Sequence, residues 1–138
     1  MLTSRRVIRI EWGDCDPAGI VFYPRYFAWF DACTAGLLEL AGTPKHKLFA
    51  EEGVGIPMVE TRAKFLLPAR FGDEVTVETA ITRFGRSSFD VHHRLLKNGE
   101  LGVESFETRV WTAVELTGGR ELKSRAIPEA LKRRLSGE

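Results

Sequence analysis

The segment Gly13-Asp14-Cys15-Asp16-Pro17-Ala18-Gly19-Ile20-Val21-Phe22-Tyr23-Pro24-Arg25-Tyr26-Phe27-Ala28-Trp29-Phe30-Asp31 decides how this chain is read. Asp16 stands before a turn: Pro17 fixes its own φ and restricts Asp16 to extended conformations, and Gly19 permits a sharp change of direction. A helix is predicted from Pro24, because proline suits the first helical position, where its missing N–H removes no intrahelical bond. Tyr26, Phe27, Trp29, Phe30, Ala32, Cys33, Leu37, Leu38 and Leu40 follow, so the helix reads as too apolar to lie on a surface. Gly42-Thr43-Pro44 ends it.

Away from this segment the period changes. Residues 5–12 alternate as a strand, with Ile8, Ile10 and Trp12 on one face, and residues 45–52 form a short second helix before Gly53 and Gly55. Four longer strands are predicted at 57–67, 74–84, 87–97 and 101–116, and Asn98-Gly99 joins the last two as a hairpin. Val75, Val77, Thr79 and Ile81 alternate with Thr76, Glu78, Ala80 and Thr82, the pattern of an antiparallel sheet buried on one face. One apolar helix, five strands and a charged tail from Ile127 to Glu138 give an α+β domain. No repeat, linker or low-complexity stretch divides it, so a single domain over residues 1–138 is expected.

Composition narrows the function. Of 138 residues, 43% are hydrophobic and 28% charged, and twenty basic against nineteen acidic residues leave a formal charge of +1. That balance argues against a general nucleic-acid binder but permits a local basic patch for a phosphorylated ligand. The N-terminus has no apolar signal core and no run is long enough to span a bilayer, which leads to the expectation of a cytoplasmic protein without a membrane partner. Cys15 and Cys33 lack CxxC spacing, and no nucleophile motif joins them to His46, His92 or His93. His92 and His93 are consecutive in a strand and point to opposite faces, so no metal site is expected there.

Two readings of Asp16 stay open on spacing alone: an Asx turn that stabilises the bend, or a carboxylate that does chemistry. Asp14 alternates away from Asp16 in an extended segment, which favours capping or a surface hydrogen bond over a carboxylate dyad.

The ungapped run from Gly13 to Val21, with Tyr23-Pro24, Tyr26, Trp29 and Asp31, resembles the active-site signature of the hotdog-fold acyl-CoA thioesterases, in particular their 4-hydroxybenzoyl-CoA branch. Weaker similarity continues through Gly55-Ile56-Pro57 and Gly72-Asp73-Glu74-Val75. The resemblance implies a hotdog fold, a curved five-stranded antiparallel sheet wrapped around one long apolar helix. It also implies a homodimer or homotetramer with active sites between subunits. Asp16 would be the catalytic residue, as nucleophile or general base, and the backbone N–H of Tyr23 would meet the thioester oxygen. Many short-chain thioesterases carry histidine where this chain has Tyr23, which moves the expectation toward aryl substrates.

By the same resemblance Asp31 would accept the ring hydroxyl, with an ordinary solvated stripe through Asp31, Ala35 and Glu39 as the alternative. Arg86, Ser87 and Ser88 would bind CoA, with Arg125 adding charge; Gly85 and Ser87 stand where the branch carries basic residues, and plain surface roles are the alternative for both arginines. No cofactor is implied, since CoA is part of the substrate. The expected reaction is hydrolysis of an aromatic acyl-CoA thioester, 4-hydroxybenzoyl-CoA foremost, to free acid and CoA. A broad short-chain acyl-CoA thioesterase and a noncatalytic acyl-CoA binding module are the alternatives.

Overall fold

The computed structural model describes residues 1–114 and 122–138. In chain order its elements are β1 (Thr3–Arg9), a 3-10 turn (Trp12–Asp14), α1 (Pro24–Leu40), α2 (Lys45–Glu52), β2 (Val54–Gly55), β3 (Met58–Phe65), β4 (Glu74–Phe84), β5 (Ser88–Lys97), β6 (Glu100–Val110), β7 (Thr112–Val114), β8 (Leu122–Ser124) and α3 (Glu129–Leu135). The main sheet is antiparallel with strand order β1-β4-β5-β6-β3, and β2, β7 and β8 form a smaller one. This is the α+β hotdog architecture, with α1 laid across the concave face of the five-stranded sheet.

Pro24 opens α1, and a Schellman motif closes it: Thr43 N–H donates to Leu38 O at 2.9 Å and Gly42 N–H to Glu39 O at 3.0 Å, with Gly42 at φ +87°. The buried residues Tyr26, Phe30, Cys33, Thr34, Leu37 and Leu38 recur every three or four positions and face the sheet. Only this face is covered. The opposite face stays open and Leu40 is 57% exposed, so within one chain the helix is less enclosed than its apolar composition predicts.

The strand alternation in β4 is as expected, with Val75, Val77, Thr79 and Ile81 buried. Asn98 and Gly99 adopt φ 52° and 79°, the paired left-handed conformation of a tight hairpin turn. Two boundaries differ from the sequence reading. The first strand begins at Thr3 and stops at Arg9; Ile10 is buried, but Trp12 turns outward into the 3-10 turn, 76% exposed, with its ring edge-on to Phe71 at 5.5 Å. Asp14 causes that departure by accepting the Glu11 N–H through Oδ2 at 2.9 Å, the first of the two roles expected of it. The last long strand breaks at Trp111 into β6 and β7, and its predicted end at 115–116 lies outside the described residues.

The core has two apolar halves. One gathers Tyr26, Phe30, Val75, Val77, Leu95 and Val103; the other gathers Leu37, Ile81, Phe89, Val91 and Trp111 and is closed by Ile127, Leu131 and Leu135 of the C-terminal segment. Between them runs a layer of buried polar residues: Thr34 from α1, Thr79 from β4, His93 from β5, and Ser105, Glu107 and Arg109 from β6.

Candidate active site

Asp16 sits at the tip of a closed loop. Its N–H donates to Ile20 O at 3.0 Å, its carbonyl accepts from Gly19 N–H at 2.9 Å, and Cys15 bridges Val21. Gly19 needs its freedom here, at φ +81°. The side chain makes the Asx turn: Oδ1 accepts the Ala18 N–H at 2.8 Å, while Oδ2 has no partner among the described residues. One oxygen anchors the carboxylate and the other is available for chemistry.

Tyr23 is the residue preceding α1. The next two N–H groups are spent, Arg25 on Phe22 O at 2.9 Å and Tyr26 on Tyr23 O at 3.1 Å, and Pro24 has none. The Tyr23 N–H has no acceptor among the described residues, which makes it the first free donor at the positive end of the helix. Beside it opens a cleft of about 350 Å³ walled by Ile20, Val21, Tyr23, Tyr26, Phe65 and Leu66. Tyr26 is fixed at its base, packing edge-on to Trp29 at 5.5 Å and accepting the Ala69 N–H at 3.3 Å. Ile20, whose carbonyl accepts the Asp16 N–H, and Tyr23, whose own N–H is free, both wall this cleft, so the loop that carries the carboxylate borders a free helix-end donor and an apolar aromatic wall.

The other predicted residues fall into two further groups. Trp111 joins Arg86, Ser87 and Arg125: its N–H donates to Ser87 O at 2.6 Å and its carbonyl accepts from Arg125 N–H at 2.9 Å, while Ile127 N–H bonds Arg86 O at 2.9 Å. Ser88 belongs to the same turn, where its carbonyl accepts the Gly85 N–H at 2.7 Å. Both arginines are exposed. This cluster lies at the far end of β4 from Asp16, whose loop packs near Ala69 and Arg70; eleven strand residues separate the two ends, roughly 35 Å. A single chain does not bring Asp16 and Arg86 together.

Asp31 does not line the cleft. It lies roughly two turns further along α1, 52% exposed, with Oδ1 at 2.7 Å from Arg109 Nη2 and 3.9 Å from Lys45 Nζ. Behind it stands the buried layer that the sequence reading did not single out. Arg109 donates to Glu107 Oε2 through Nε at 3.0 Å and to Ile56 O through Nη1 at 3.1 Å. Glu107 Oε1 lies 2.9 Å from His93 Nε2, Thr34 donates to both carboxylate oxygens, and His93 Nδ1 is 2.8 Å from the Thr79 hydroxyl. Burial pushes the Glu107 carboxyl up, yet the bonds from His93 and Arg109 outweigh it and hold the group below its ordinary value. Burial likewise works against the Arg109 charge, and Glu107 and Asp31 more than restore it.

The cysteines and the second histidine stand apart from this chemistry. Burial pushes the Cys33 thiol up, which disfavours a nucleophilic thiolate, and Cys15 rests 3.8 Å from Glu11 O. His92 faces away from His93, stacked on Phe106 and 3.0 Å from Glu104 on the outer side of the sheet.

Fold and sequence agree on an acyl-CoA thioesterase of the hotdog class. The chain belongs to the thioesterase-like superfamily, whose family model matches residues 10–135. It is 35% identical over 127 residues to the 4-hydroxybenzoyl-CoA thioesterase of Pseudomonas sp. (strain CBS-3), covering 87% of this chain and 88% of that one. It is 27% identical over 132 residues to the 1,4-dihydroxy-2-naphthoyl-CoA hydrolase of Synechococcus sp. (strain WH7803), covering 91% and 83%. The solved Pseudomonas 4-hydroxybenzoyl-CoA thioesterase superposes with a TM-score of 0.86 at 33% identity, covering 96% of this chain and 98% of that one. A gentisyl-coenzyme A thioesterase superposes with a TM-score of 0.82 at 30% identity, covering 96% and 99%.

Proposed function

We propose that the protein hydrolyses a hydroxylated aromatic acyl-CoA thioester, 4-hydroxybenzoyl-CoA foremost, to the free acid and CoA, as a cytoplasmic homodimer or homotetramer with Asp16 as the catalytic residue. The observation that carries this reading is that Asp16, with Oδ2 unpartnered, is tied by its N–H to Ile20, which walls the same aromatic cleft as Tyr23 with its free N–H. The thioester oxygen points at Tyr23 N–H, where the developing negative charge meets the helix end. Asp16 then acts in one of two balanced ways. Its Oδ2 adds to the carbonyl carbon and expels CoA thiolate, leaving a mixed anhydride that water hydrolyses; or it takes a proton from water, whose oxygen adds to that carbon before the same thiolate leaves. Neither route needs a cofactor.

Arg86 serves the CoA phosphates with Ser87, Ser88 and Arg125, and comes from the partner subunit, because within one chain it lies at the wrong end of β4. Edge strand β3, exposed along both faces with Val59 and Phe65 bare, supports such a partner. Asp31 accepts the ring hydroxyl across that interface. The dihydroxynaphthoyl-CoA relative favours a second, bicyclic hydroxyaryl substrate for the same site. Thiol release measured across benzoyl, 4-hydroxybenzoyl, dihydroxynaphthoyl and aliphatic CoA thioesters tests the proposal. Fastest turnover of a hydroxyaryl ester, dependent on Asp16, is expected; binding without release, or a preference for aliphatic esters, refutes it.

A further inference from the structure

We infer that Arg109 is a positioning residue that sets substrate specificity by holding Asp31, an inference that rests on the reading of Asp31 as the acceptor for the ring hydroxyl. The geometry divides the Asp31 carboxylate as the Asx turn divides that of Asp16. Oδ1 is taken by Arg109 Nη2 at 2.7 Å, and Oδ2 has no partner among the described residues. Arg109 is itself immobile: only 3% of its side chain is exposed, and Glu107 and the Ile56 carbonyl hold the other edges of the guanidinium. Glu107 is held in turn by Thr34 and His93, and His93 by Thr79. A chain of short bonds thus runs from the middle of the sheet to one oxygen of one half-exposed carboxylate.

Stability alone is a weak reason for this chain. Taking Arg109, Glu107 and His93 out of water is costly, and well-packed apolar residues of similar volume often replace a buried ion pair without loss. What the ion pair supplies is a fixed direction. An exposed helical aspartate explores several rotamers, and Lys45 at 3.9 Å on the open side holds it weakly. The planar guanidinium offers a bond of fixed direction, so Asp31 presents Oδ2 in one pose to a phenol and leaves an unsatisfied acceptor to an unsubstituted ring.

The test is the ratio of kcat/KM for 4-hydroxybenzoyl-CoA to that for benzoyl-CoA, in Arg109→Lys and in the double variant Arg109→Met with Glu107→Gln, which avoids stranding a buried carboxylate. Each is also made in an Asp31→Ala background, and folding is checked by circular dichroism. The ratio is expected to fall about tenfold in the double variant and less in Arg109→Lys, which keeps the charge without the fork. In the Asp31→Ala background neither change is expected to move it further. If Asp31→Ala lowers the ratio while folded Arg109 variants keep it, or if they lower it equally without Asp31, positioning by Arg109 is overturned and the hydroxyl reading survives. If Asp31→Ala leaves the ratio unchanged, the hydroxyl reading fails and takes this inference with it.

Discussion

Asp16 Oδ1 and the Ala18 N–H lie 2.8 Å apart, so the two readings of this aspartate that its sequence leaves open are compatible, one for each oxygen. An amide oxygen can accept the same N–H but cannot attack a carbonyl or take a proton from water. Asp16→Asn is therefore expected to fold and bind CoA thioester with turnover reduced by about 10²-fold or more. Thiol release by a variant of native circular dichroism checks this, and near wild-type release would remove Asp16 from the mechanism.

Arg86→Ala is expected to raise KM for the CoA ester more than it lowers kcat, because a phosphate remote from the thioester is held alike in ground and transition states. The dependence of kcat/KM on salt should weaken with it. Unchanged KM and unchanged salt dependence would make Arg86 an ordinary surface arginine.

Asp31→Ala is expected to lower kcat/KM for 4-hydroxybenzoyl-CoA selectively, by about tenfold or more relative to benzoyl-CoA. Equal losses on both esters, measured side by side on the assembled enzyme, would deny it the hydroxyl contact.

Acid should destabilise the fold from about pH 4 downward. Glu107, Asp73 and Asp90 all have carboxyls held below their ordinary values: Glu107 by His93 and Arg109 against the opposing effect of burial, Asp73 chiefly by Lys97, Asp90 chiefly by Arg83. Groups depressed in the folded state contribute stability that is present above the unfolded carboxyl pKa, about 4, and is lost as pH falls through the lower folded value. Tm measured from pH 7 to 2 should fall in that window. The fall should be shallower in Asp90→Asn, and an identical profile would contradict the assignment.

The legible parts of this structure are those whose causes are local. Pro24 at a helix start, Gly42 past its end, Asn98-Gly99 in a hairpin and the turn after Asp16 each follow from the conformational limits of a few adjacent residues. The strand break at Trp111 is different, because the partners that bend the chain are Ser87 and Arg125, distant in sequence. The outward turn of Trp12 depended on Asp14 capping backward, a competition that alternation of apolar residues does not register. Hardest to read was β6, where Glu107 and Arg109 point inward while Phe106 lies on the outer face with the Arg62 guanidinium 4.1 Å above its ring. Polarity alone assigns those faces the other way, and only His93, Thr34 and Asp31 from other elements reverse it.

That reversal also guards the alignment of the sheet. In β5 and β6, His93 sits opposite Ser105 and Val91 opposite Glu107. Sliding β6 by one residue would turn Phe106 and Thr108 inward and Glu107 and Arg109 outward, an exchange that hydrophobicity by itself would tolerate or even reward. The slipped sheet, however, would carry the Glu107 carboxylate to the outer face, away from Thr34 and His93, and forfeit the buried hydrogen bonds it makes with both. The polar layer therefore favours one alignment of β6 over a slipped one that a purely apolar core would tolerate.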